Sequence, residues 1–172
     1  MDTSVSNMNY LNTQVFQMDI PLAPSVNEYI QSFSLPGITL GEAQIETPVI
    51  RQPEPGDKLI FSPIAISFLI DEHMENWKEI FNWMIALGFP TSLQQYGVLP
   101  HQVNRADSSQ ITCDLTILIH DNYSKPILKF NMFNAFPINL GDIPISTVET
   151  DAQVPMCTAD FMYQHYEVET LI

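Results

Sequence analysis

Between Ile111 and Ile119 every second residue is apolar. Ile111, Cys113, Leu115, Ile117 and Ile119 take one phase, and Thr112, Asp114 and Thr116 take the other. An extended chain sends successive side chains to opposite sides, so this pattern makes a strand with one buried face. The same period recurs along the chain. Val15–Ile20 carries Phe16, Met18 and Ile20 on one side, Glu28–Leu35 carries Tyr29, Phe33 and Leu35, and Ile64–Ile70 carries Ile64, Ile66, Phe68 and Ile70. Gly41–Ile50 reads as a weaker strand, Ile127–Phe136 as another, and Val154–Glu169 as a long closing one. Thirteen prolines and six glycines cut the chain into these short segments, because each disfavours continuation of a regular element.

One segment has a different period. From Asp71 to Leu87 the residues Met74, Trp77, Phe81 and Met84 recur at helical spacing, with Ile80 beside them. This predicts a helix whose core face is Met74, Trp77, Phe81 and Met84. Asp71, Glu72 and Glu75 then fall in the first turn, where the helix dipole favours acids. Gly88 and Pro90 stop it. Gln52, Pro53, Glu54, Pro55, Gly56, Asp57 and Lys58 read as an exposed loop or hairpin tip,. Residues 89–110 form a long polar connection, of the kind that is functional or binds a neighbour. Six to seven strands and one helix define a mainly β fold, an antiparallel barrel or sandwich with one flanking α-helix,. All 172 residues fit a single domain, with residues 1–12 a flexible or partner-binding N-terminal segment,.

Charge narrows the function. Twenty acidic residues oppose six basic ones, a net charge of -14. The basic residues are scattered singly, so no cationic surface exists to displace counterions from a nucleic-acid backbone,. Charged residues make up only 15% of the chain, which leaves surface suited to burial against partners. The four histidines stand apart, and no nucleophile elbow, phosphate loop or dinucleotide fingerprint occurs,. No catalytic, cofactor-binding or metal site is expected. Cys113 and Cys157 read as reduced core thiols,. No leader or membrane-spanning run is expected, so membrane anchoring is not.

The order of short motifs carries a resemblance. Phe16-Gln17-Met18-Asp19-Ile20 opens the series and Ser34-Leu35-Pro36-Gly37-Ile38 follows. Pro55-Gly56-Asp57 precedes a strand that runs into Asp71-Glu72 and a helix bearing Trp77 and Trp83. Asn134-Ala135-Phe136-Pro137 and Leu140-Gly141-Asp142-Ile143 come next, and the series ends in the strand from Ala159 to Glu167. Taken in order across residues 15–168, these resemble the tail-tube proteins of T4-like myoviruses and their tube-like baseplate relatives.

The resemblance implies a structural virion protein and no enzyme. Six copies would form a homo-hexameric ring whose strands join in one inner barrel. Rings would stack into a tube inside a contractile sheath and deliver phage DNA through the bore. Expected partners are other copies of the chain, the tail sheath protein, and baseplate or tail-terminator proteins. The expected location is the virion tail, with the host cytoplasm during assembly. By position, the 52–58 segment is the contact to an adjacent subunit or ring. Asp114 and Asp160 are candidate bore-facing acids, since like charge lets DNA slide without sticking; ordinary solvated strand faces explain them equally well. A tube-initiator or baseplate hub ring is the alternative with the same fold. A monomeric ligand-binding β-barrel is the rival from another class.

Overall fold

A computed structural model describes Leu11 and residues 15–46, 48–88, 111–146 and 154–171. The expected N-terminal segment lies outside these except for Leu11, and the 89–110 connection lies wholly outside. The chain is mainly β and antiparallel throughout the described residues. In order come β1 (Phe16–Asp19), a single helical turn α1 (Pro24–Asn27), β2 (Ile30–Ser34), β3 (Ile38–Glu46), β4 (Arg51–Phe61), β5 (Ile64–Leu69) and the helix α2 (Glu75–Gly88). Then follow β6 (Cys113–His120), β7 (Pro126–Leu140), β8 (Met156–Met162) and β9 (His165–Thr170).

Seven strands form one sheet in the order β1-β6-β7-β8-β5-β2, with β9 also pairing β7. The two end strands approach each other: the rings of Phe16 on β1 and Phe33 on β2 meet edge-on at 4.9 Å. The sheet is thus rolled toward a barrel whose seam is bridged by this ring pair and still holds an apolar cleft. Its inner face follows from alternation. Ile64, Ile66 and Phe68 of β5 are buried, as are Leu115, Ile117 and Ile119 of β6 and Cys157, Ala159 and Phe161 of β8.

β7 can serve two partners because it bends. Its first half pairs β9 through Leu128–Phe133, and its second half pairs β8 from Phe136 onward. Between them β7 bulges against β6, with Asn134 in the left-handed region at φ 54°. A bulge adds one residue to one strand and so reverses the phase of its side chains. Phe130 and Met132 face the core before it and Ala135 after it. Asn134 tolerates this conformation better than most residues, and its neighbours fix it. Asp114 Oδ1 accepts from its backbone N–H at 3.0 Å, Thr112 Oγ1 donates to its Oδ1 at 3.1 Å, and its Nδ2 donates to Gln164 Oε1 at 3.0 Å. The closing strand expected over 154–169 is accordingly two strands, interrupted at Tyr163 and Gln164.

The helix begins later than its acids suggest. Met74 N–H bonds back to Asp71 C=O at 3.1 Å and Met74 takes a φ of 55°, so Asp71 and Glu72 lie in a turn before α2. The core face is also displaced. Asn76, Ile80, Trp83 and Ala86 are buried, whereas Trp77, Met84 and Met74, just before α2, pack half-buried against the core and Phe81 is exposed. Trp77 and Phe81 stack at 5.0 Å on the flank of the helix. The apolar stripe of Met74, Trp77, Phe81 and Met84 is real, but a second stripe through Ile80 and Trp83 runs beside it. The tie is resolved by polar partners: Trp83 Nε1–H donates to Ile111 C=O at 2.8 Å, and Asn76 Nδ2 donates to Leu69 C=O at 2.7 Å. Buried donors need such acceptors. Glu79, on a third side, accepts from Ser25 N–H at 3.0 Å and Ser25 Oγ at 2.8 Å and holds α1 against α2.

The 52–58 segment is strand rather than loop. Gln52 to Lys58 lie within β4, which among the described residues pairs only β3, in a separate two-stranded sheet. The turn of this hairpin instead falls after Glu46, around Pro48 to Ile50. Proline survives in β4 because the strand has a free edge. Pro53 pairs Gln44 and Pro55 pairs Glu42, so both occupy positions that donate no bond to β3,.

Candidate functional site

Two surfaces distinguish this fold from a self-sufficient barrel. The first is the β3–β4 arm. A lone two-stranded hairpin is marginal in water, yet this one keeps Ile38, Leu40, Ile45, Leu59 and Ile60 exposed along its strands. Its turn presents Val49, 88% exposed, and Ile50. Such a surface is suited to cover by another chain. The arm's geometry is defined by a register shift between Leu40 and Glu42, where β4 carries extra residues through Gly56, Asp57 and Lys58. Gly56 sits so close to Gly41 that any Cβ there would meet the Gly41 carbonyl. The ion pair of Arg51 with Glu46, 3.3 Å apart and well exposed, adds little,. At its base the arm is tied to the barrel: Tyr163 O–H donates to Ser62 C=O at 2.8 Å, and the Phe61 ring meets Tyr166 at 5.5 Å.

The second surface is the outer face of the sheet. Asp114 and Asp160 both lie on it, in the phase opposite the buried residues of β6 and β8. Asp114 is committed to the Asn134 bulge, and Asp160 Oδ2 accepts from Asn139 Nδ2 at 2.9 Å. The register brings three further acids to the same face: Asp19 opposite Thr116, Glu167 opposite Asn131 and Glu169 opposite Lys129. Five carboxylates thus accompany Lys129 on one continuous surface, between neutral residues such as Ser67 and Thr158, which pair across β5 and β8. Asp114 and Asp160 are the two expected from sequence; Asp19 stands in the polar phase of β1, and Glu167 and Glu169 reach this face because the closing run breaks at Tyr163 and Gln164 into β8 and β9.

Other candidate chemistry disperses. Among the described residues no group of three or more His, Cys, Asp or Glu side chains is arranged to hold a metal ion. Asp121, beside His120, accepts from the backbone of Tyr123 and Lys125 and is a turn residue. Cys113 and Cys157 are free thiols. Burial pushes the Cys113 thiol up to about 12, with help from the Asp114 and Asp19 charges, and burial also raises Cys157. No described helix is long and apolar enough to cross a membrane.

The described residues thus form a rolled antiparallel sheet with a flanking helix and a projecting arm of exposed apolar side chains. The model of the phage tail tube protein family matches residues 3–169, and the chain belongs to that family. It is therefore a structural component of a phage-type tail, as the order of its motifs implied. Among curated proteins it is similar to the tail tube terminator protein of Enterobacteria phage T4, 21% identical over 167 residues, covering 94% of this chain and 90% of that one. Among solved structures, the anti-feeding prophage tube-terminating cap superimposes with a TM-score of 0.57 at 14% identity, over 99% of both chains. The sheath/tube terminator of an extracellular contractile injection system does so with a TM-score of 0.56 at 16% identity, over 95% of this chain and 99% of that one. At these identities the superpositions speak for the fold.

Proposed function

We propose that the chain forms a hexameric ring of a phage-type tail tube, through whose bore DNA is delivered. The observation that carries this reading is the β3–β4 arm, whose exposed apolar side chains need a neighbouring copy to cover them. A ring gives every arm the same neighbour and leaves none unsatisfied. The acid outer face, with Asp19, Asp114, Asp160, Glu167 and Glu169, suits a bore wall that repels phosphates. A related baseplate structure, with a TM-score of 0.51, was solved with six-fold symmetry, in keeping with six subunits. The tail sheath protein is the natural outer partner, since one similar structure is a sheath–tube complex.

Within that reading, the end of the tube is the favoured position. The curated relative is a tube terminator, and so are two of the similar structures by their descriptions. A repeating subunit must stack on itself, whereas a terminal ring need only cap the last one. Negative-stain electron microscopy of the purified protein, beside its solution mass, separates the two. Rings that never lengthen support the terminal position, long hollow tubes support the repeating subunit, and a stable monomer at high concentration overturns both.

A further inference from the structure

The two long edges of the arm are chemically unlike. In an antiparallel pair, residues alternate between bonding each other and pointing their N–H and C=O groups outward. Pro53 and Pro55 have no N–H to give, so their pairs with Gln44 and Glu42 are of the outward kind,. On β4, then, two of the three outward positions at 51, 53 and 55 carry no donor. On β3 the matching positions, Glu42, Gln44 and Glu46, keep all of theirs. Along the distal half of the arm, then, a strand can add to β3 and is disfavoured on β4,.

Charge selects what can add. Like charges opposite each other destabilise a strand pair. β3 carries Glu42 and Glu46, so two β3 strands paired about Gln44 would set carboxylate against carboxylate. β9 carries Glu167 and Glu169, and β1 ends in Asp19. Of the end strands among the described residues, only β2, Ile30–Ser34, has no charged residue. Its outer edge pairs no strand among the described residues, and it borders an apolar cleft of about 190 Å³ at the β1–β2 seam, lined in part by Val15, Phe33 and Leu35.

We propose that β3 of each copy receives the β2 edge of a second copy, while Pro53 and Pro55 keep the arm from accepting a strand on its other side. This rests on the ring reading and assigns its contact. Each subunit then gives one edge and receives one, a head-to-tail contact that closes into a ring. The strand so added also covers the seam cleft. The prolines act as a stop: without them each arm would have two sticky edges and the ring could branch.

The test uses the full chain. Gln44→Pro removes one outward donor and leaves the β3–β4 ladder intact, as Pro53 already shows from the opposite strand. Its circular dichroism should match wild type while the ring-forming concentration rises by about tenfold or more. Gln44→Ala should assemble like wild type. Pro53→Thr with Pro55→Thr should add disordered higher assemblies. If Gln44→Pro forms rings at the wild-type concentration, this contact is wrong while the ring stands. If wild type never leaves the monomer, ring and contact fall together.

Discussion

Replacing Trp83 tests which stripe of α2 holds the fold. Trp83 is fully buried, its ring lies 5.8 Å from that of Phe161, and its Nε1–H is bonded to Ile111 C=O. Trp83→Ala empties a large core site and orphans a carbonyl, so it should cost about 3–5 kcal/mol. For a domain of this size that lowers the melting temperature by about 6–20 °C. Trp77 is only half-buried, and its Nε1–H is buried with no partner among the described residues. Trp77→Ala should therefore cost only about 1–2 kcal/mol. The phenylalanine pair is sharper. Trp83→Phe loses a satisfied hydrogen bond and some volume, about 1.5–3 kcal/mol, while Trp77→Phe removes an unmet donor and should be neutral or slightly stabilising. Urea unfolding followed by far-ultraviolet circular dichroism, below the assembly concentration, measures all four. A Trp77→Phe variant that loses as much stability as Trp83→Phe would refute the assignment of the core face.

Three further outcomes follow from the same structure. Gly56→Ala should distort the arm, because its Cβ meets the Gly41 carbonyl; proteolysis between β3 and β4 should quicken while the barrel's melting temperature hardly changes. Tyr163→Phe should cost about 1 kcal/mol by unpairing Ser62 C=O, read by urea unfolding,. Stability should fall as pH rises above about 9, because the Cys113 thiol titrates near 9 when unfolded and near 12 when folded. Its contribution is complete below pH 9 and lost on the way to pH 12, so Cys113→Ala should flatten the alkaline limb of a melting-temperature profile.

Strands buried on one face were legible because alternation is local. β5 and β6 lie where Ile64–Ile70 and Ile111–Ile119 placed them, to within a residue or two. What sequence could not set depended on partners. Pro53 and Pro55 look like loop formers until a free edge is known to face them. The face of α2 could not be chosen between two adjoining apolar stripes without the acceptors Leu69, at the end of β5, and Ile111, just before β6. The Asn134 bulge, which switches β7 from β9 to β8, leaves no mark in the hydrophobic pattern beyond a change of phase. Hence Glu167 and Glu169 could not be placed on the face of Asp114 and Asp160.

In the proposed ring, each copy contacts the next through the β3–β4 arm. Solution mass and negative-stain microscopy of wild type beside a variant lacking residues 42–55 test it most directly. Six-membered hollow rings are expected for wild type and a folded monomer for the variant. A wild-type monomer at high concentration, or rings formed equally well without the arm, would contradict that contact.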